Sequence, residues 1–127
     1  MNNTRQTGRQ GENAARDWLI KDGYSIVKMN YTSPHGEIDI IAEDEKYIVF
    51  VEVKYHKNSI HLKKYGRPVR AVTKQKKEHI IFTAKHYLSR YPSTKRPRID
   101  VIEIISDQLP NGFVEMNIKH YKNAFGE

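Results

Sequence analysis

Gly36-Glu37-Ile38-Asp39-Ile40-Ile41-Ala42 and, after the acidic turn Glu43-Asp44-Glu45, Lys46-Tyr47-Ile48-Val49-Phe50-Val51-Glu52-Val53-Lys54 decide how this chain is read. Both runs are rich in β-branched and aromatic residues and flank a polar turn, which predicts strands over Glu37–Ala42 and Lys46–Lys54 joined as a hairpin. Strand side chains alternate faces, so Glu37, Asp39 and Ile41 share one side, as do Ile48, Phe50, Glu52 and Lys54. A two-residue turn at Asp44-Glu45 pairs Glu43 with Lys46 and Asp39 with Phe50. Asp39 and Glu52 are then diagonal neighbours, about 7–8 Å apart at the backbone. Two carboxylates so placed repel unless a cation lies between them, and a hard divalent ion such as Mg²⁺ takes oxygen ligands of this kind.

Working outward, Thr7-Gly8-Arg9-Gln10 fits a capping box, so a helix is expected from Thr7 to a stop at Gly23, with residues 1–7 as a loose end. Its apolar stripe is Ala15, Trp18 and Leu19, with Ala14 at the edge, and Trp18 reads as core. Glu12 lies three residues before Ala15 and seven before Leu19, on the same stripe. A carboxylate there needs a partner or a wet pocket, or else serves the helix N-terminus. Tyr24 to Tyr31 reads as a strand, and Ser33-Pro34-His35-Gly36 as a turn. After the hairpin, Tyr55 to Pro68 reads as a long polar loop. A second helix is expected over Thr73–Arg90, with Val72, Ile80, Ala84, Tyr87, Leu88 and Tyr91 on its apolar side and Pro92 ending it. Strands at Arg98–Ile105 and Phe113–His120 follow, separated by Pro110-Asn111-Gly112. The order αβββαββ defines an α/β domain with a mixed sheet, a single unit over residues 1–127.

The 127 residues match one domain. There is no cysteine, which excludes disulfides and thiolate metal sites. The longest apolar run is the five residues Tyr47 to Val51, against the roughly 20 of a membrane span. No membrane partner and a cytoplasmic location are therefore expected. The net charge of +7 is unevenly spread: Lys54 to Arg98 holds 14 basic residues and one acid, Glu78. That window suits a polyanion, and DNA and RNA backbones look alike to lysines. Asp100 reads as a structural partner for an arginine. The six histidines show no zinc-protease pairing, and no glycine-rich phosphate loop is present.

Gly36-Glu37-Ile38-Asp39 followed by Glu52-Val53-Lys54 resembles the signature of the PD-(D/E)xK nuclease superfamily. With Gly8-Arg9-Gln10-Gly11-Glu12, Gly23-Tyr24, Asn30-Tyr31, Tyr65-Gly66 and Lys74-Gln75, the chain resembles the YraN family of small bacterial proteins. The resemblance implies a restriction-endonuclease-like three-layer core, a mixed β-sheet flanked by helices. It implies Asp39 and Glu52 as metal ligands for Mg²⁺ (or Mn²⁺), joined by the backbone carbonyl of Val53. It implies Lys54 as the group that orients or deprotonates the attacking water. Glu12 matches an outer carboxylate of some superfamily nucleases, and Lys74 and Gln75 match a polar pair near the site. Lys76, Lys77 and His56 complete the expected nucleic-acid contacts. Glu37 faces the same side, as a ligand or as a rim residue. The implied activity is hydrolysis of DNA phosphodiesters, with DNA favoured over RNA and branched or structured DNA among the candidate substrates. The alternative is a non-catalytic nucleic-acid-binding protein that retains the fold. A homodimer is a further partner the resemblance raises.

Overall fold

The computed structural model describes residues 4–57 and 72–125. Among the described residues two helices and five strands follow the order expected: α1 Thr4–Lys21, β1 Ser25–Ser33, β2 Gly36–Glu43, β3 Tyr47–Lys57, α2 Lys74–Arg90, β4 Arg96–Gln108 and β5 Val114–Tyr121. The strands form one sheet in the order β1-β2-β3-β4-β5. Neighbours are antiparallel except β3 and β4, which are parallel and flank α2 in the chain. A parallel pair needs a crossover, and α2 lies in that connection. The result is a mixed sheet between two helices.

Alternation along β3 builds the two sides. Val49 and Val51 pack with Ala15 and Leu19 of α1. Ile48 and Phe50 pack with Ile80, Ala84 and Tyr87 of α2. β3 and β4 are apolar on both faces because each face is covered by a helix. Gly23, at φ +95°, closes α1: its N–H donates to Ile20 and that of Tyr24 to Leu19. A side chain would be strained there. The Thr73 hydroxyl accepts the Lys76 N–H at 3.1 Å and caps α2.

Four local expectations change. α1 begins at Thr4, one turn ahead of the expected capping box. Trp18 is 37 % exposed rather than core, because its indole N–H reaches over the sheet to His120 Nδ1 at 3.3 Å. Tyr91 is likewise half exposed. β3 runs on to Lys57, as Tyr55, His56 and Lys57 find parallel partners in Ile104, Ile105 and Ser106. The rest of the expected long loop, including Tyr65-Gly66, lies outside the described residues.

The hairpin register also moves by two residues. Asp44 Oδ1 accepts the N–H groups of Lys46 and Tyr47 at 2.8 and 2.7 Å, and the Asp44 N–H donates to the Tyr47 carbonyl. That side-chain turn shifts the reversal to Glu45-Lys46, and Ile41 pairs with Phe50. An even shift keeps every side chain on its face.

Asp100 is fully buried and accepts Arg98 twice at 2.9 Å, His120 Nε2 at 2.7 Å and the Asn123 N–H at 3.0 Å. It is the arginine partner expected. Trp18 donates to the other ring nitrogen of His120, so Nε2 carries the proton given to Asp100. Burial pushes the Asp100 carboxyl up, but His120, Arg98 and Asn123 outweigh it and hold it below the usual range. The stabilisation is complete above about pH 4 and is lost as pH falls through the depressed value. Asp100→Ala is expected to cost about 3–5 kcal/mol at pH 7, since it leaves Arg98 buried without its carboxylate. In urea melts that penalty should shrink towards pH 2–3; an equal penalty at both pH values would remove the ionic role of this cluster.

Candidate active site

Asn30 has left-handed backbone, at φ 55°, a conformation asparagine tolerates better than most residues. On either side of it, Met29 packs towards α1 while Tyr31 belongs to the α2-side core. Their partners on β2, Ile40 and Ile38, divide in the same way. Residues two apart should share a face, so both strands turn over at Asn30 and Asp39. Here β2 and β3 part: the last paired residues are Ile40 and Val51. Asp39 Oδ2 fills the fork and accepts the Val53 N–H at 2.8 Å. The register places Asp39 opposite Glu52 rather than diagonal to it.

α1 brings Glu12 to this fork. A Cβ on Gly11 would lie 2.6 Å from the Tyr55 Cβ, so only glycine lets the helix lie this close to β3. The Glu12 carboxylate is half-buried and lies near the Asn30 side chain, which favours its ionised form. Glu12, Glu37 and Asp39 each present an oxygen within 4.8 Å of the others. On the α2 side, Glu52 is 5 % exposed and its carboxylate stands beside that of Asp39. Its Oε2 lies 3.4 Å from Lys54 Nζ and 3.6 Å from Lys76 Nζ.

The electrostatics follow from this crowding. Burial first, then the charges of Glu52 and Glu12, push the Asp39 carboxyl up to about 8, against the Val53 N–H that favours its ionised form. Glu12 is raised too, by burial and by Glu37 and Glu52, with Asn30 and Arg9 opposing. A carboxyl raised to about 8 is protonated at neutral pH, as one member of a crowded carboxyl pair is. Oxygens of Glu12, Glu37 and Asp39 converge, with Glu52 beside Asp39, where a hard cation could take that proton's place.

Of the residues singled out from the sequence, Asp39, Glu52, Lys54 and Glu12 come together. Val53 is present through its N–H, where the expectation concerned its carbonyl. Lys76, expected on the nucleic-acid face, sits on Glu52. Lys74, Gln75 and Lys77 are exposed in the first turn of α2. His56 follows Glu52 and Lys54 on one face of β3, and burial and Lys54 both disfavour its charged form. It is a neutral hydrogen-bonding group at pH 7, not a fixed cation. Asn30 and Gly11 were not legible as site residues beyond their place in the quoted motifs. Their signals are conformational: a left-handed asparagine inside a strand, and a glycine inside a helix.

A forked antiparallel pair that gathers carboxylates beside two lysines, in a sheet covered by helices, defines an acid-rich α/β site. The chain belongs to the uncharacterised protein family UPF0102, the YraN family, whose model matches residues 11–104. The matched span runs from Gly11 to Ile104, taking in every residue of the fork. A UPF0102 protein of Chlorobium phaeobacteroides is 43 % identical over 93 % of this chain and 92 % of its own length. One of Caldicellulosiruptor bescii is 42 % identical over 97 % and 99 %. Another, from Dehalococcoides mccartyi, is 36 % identical over 98 % and 97 %. Among the described residues no helix is long and apolar enough to cross a membrane.

In the metal-free protein, Asp39 holds a proton that the unfolded chain releases above about pH 4. The folded state therefore loses stability as pH rises from there to about 8. Asp39→Asn is expected to flatten that decline and to exceed wild type by about 0.5–2 kcal/mol at pH 8. Urea melts at pH 5 and pH 8 in EDTA test this, and parallel declines in the two proteins would exclude Asp39 as its source.

Proposed function

We propose that this protein hydrolyses phosphodiester bonds of DNA with a divalent cation, Mg²⁺ or Mn²⁺, at the Asp39–Glu52 fork. The observation that carries the reading is the convergence of Glu12, Glu37 and Asp39 oxygens within 4.8 Å beside a Glu52 flanked by two lysines. The αβββαββ order read from the sequence is the order of the structure, and Asp39, Glu52 and Lys54 of the quoted motif lie together at the fork, which supports the reading. An all-oxygen, net-anionic donor set suits a hard ion, and Asp39 is common to the pair read from the sequence and to the three-carboxylate cluster. Such an ion, when bound, acts as a Lewis acid on a phosphoryl oxygen and lowers the pKa of water.

The remaining roles belong to the chain. Glu52 holds Lys54 and Lys76 by charge, so their ammonium groups are fixed beside the fork rather than free in solvent. A fixed cation there offsets the negative charge that grows on phosphorus-bound oxygens in the transition state. Lys54, two residues beyond Glu52 on the same strand, is the nearer of the two and the one we assign to the reacting phosphate. Asn30, beside Glu12, favours its ionised form. Lys74 and Lys77, exposed at the start of α2, supply backbone contacts to the polyanion.

Two measurements test this reading. Wild type incubated with branched, single-stranded and duplex DNA should cleave with Mn²⁺ or Mg²⁺ and not with EDTA. Lys54→Ala should lose about 10²–10³ in rate while keeping most DNA affinity, because its charge counts chiefly in the transition state. No cleavage by wild type over that panel would leave only a binding role, and undiminished cleavage by Lys54→Ala would take Lys54 off the reacting phosphate. Separately, Lys74→Ala with Lys77→Ala should flatten the slope of log K against log salt by about 0.9 for each DNA phosphate no longer neutralised. An unchanged slope would take the start of α2 off the DNA.

A further inference from the structure

The sheet has two outer strands, and they differ. β1 is interrupted by a register shift between Ile26 and Lys28 and turns over at Asn30, devices that spoil an edge for pairing. β5 has none: its eight residues pair with β4 one for one, from Val101–Tyr121 to Gln108–Val114. Its outer rim is a regular row of backbone donors and acceptors. Exposed apolar groups gather beside it: Phe113 is 71 % exposed, Val114 59 % and Met116 39 %, and Trp18 of α1 reaches the strand through His120. Val114 and Met116 also form one wall of an open groove of about 740 Å³ between α1 and the ends of β3 and β4.

The side chains of β5 are self-complementary. Glu115 and Lys119 lie two residues before and two after Asn117, on one face, with Met116 and Ile118 between them on the other. In an antiparallel pairing of two β5 strands about a two-fold axis at Asn117, each Glu115 meets Lys119 of the second copy. Met116 meets Ile118, and Val114 meets His120 with Trp18 above it. Moving the axis to Glu115 or Lys119 would set like charges opposite each other, and the axis at Asn117 is the setting that pairs both. Within the chain Glu115 stands opposite Asp107, a like-charge placement that a lysine arriving from the other side offsets. We propose that this protein associates with a second copy of itself through β5, joining two five-stranded sheets into one continuous sheet centred on Asn117. Such an interface is isologous, as a two-fold dimer requires, and it is independent of the proposed nuclease activity.

The test is the oligomeric state of the full chain by sedimentation equilibrium. At about 100 µM, where a Kd of ~10 µM leaves most chains paired, wild type should be mainly dimeric. Glu115→Lys should weaken the dimer more than tenfold while circular dichroism stays native, since the new lysine faces Asp107 within the chain and Lys119 across the axis. Met116→Lys should do the same by burying a charge. Lys28→Glu on β1 should leave the dimer intact. A monomeric wild type, a Glu115→Lys protein that still dimerises like wild type, or a dimer broken only by Lys28→Glu would overturn the proposal.

Discussion

The bond from the Val53 N–H to the Asp39 carboxylate is the interaction on which the rest of the site depends. In an ordinary hairpin that N–H would meet a backbone carbonyl. Here a side chain takes that place, which is possible only because β1 and β2 turn over together at Asn30 and Asp39. The bond holds the fork open while keeping the Val53 N–H satisfied, and no buried side-chain polar atom among the described residues lacks a partner. An open fork with an unpaired strand N–H would cost about 1–3 kcal/mol. Asp39 thus has a structural and an electrostatic position at once.

The site is electrostatically frustrated by construction. Carboxylates from α1, β2 and β3 converge, and Asp39 answers by keeping a proton to about pH 8. Glu52 is treated differently: it is the more buried of the two and has two lysines on one oxygen. Contrast Asp100, which is fully buried but accepts four hydrogen bonds, two of them from Arg98, and stays ionised. Burial is common to both aspartates; the sign of the neighbouring charges decides the outcome. A fold that can neutralise a buried aspartate fully at one end of β4, and leaves another short of cations beside β3, concentrates its strain where chemistry would use it.

Much of this was legible in the sequence because the signals were periodic. The alternation of Ile48, Phe50, Glu52 and Lys54 assigned their common face, and it survived a two-residue register error because faces depend on parity alone. The order of elements followed from Gly23, Thr73, Pro92 and the β-rich runs. What failed were features set by single side chains acting on the backbone. Asp44 moved the turn, His120 drew Trp18 out of the core, and Asn30 reversed two strands. The closeness of α1 to β3 depends on Gly11 meeting Tyr55, forty-four positions away in the chain, which no local pattern encodes.

Lys76 shows how the basic window and the acid cluster are joined. By composition it belonged with Lys74 and Lys77 as part of a diffuse positive surface. By geometry it crosses to Glu52, on which Lys54 also rests. Neutralising Glu52 would therefore free two cations together, so a slower reaction in Glu52→Gln would mix a missing oxygen ligand with two displaced ammonium groups. Lys76→Ala leaves Glu52 and Lys54 in place and separates these effects: on the proposed reading it should slow cleavage less than Lys54→Ala does. A decrease from Lys76→Ala as deep as that from Lys54→Ala would mean that α2, not β3, supplies the charge at the reacting phosphate. On the proposed reading, the division between a surface that attracts DNA and a centre that acts on it runs through the first turn of one helix, between Lys76 and its neighbours.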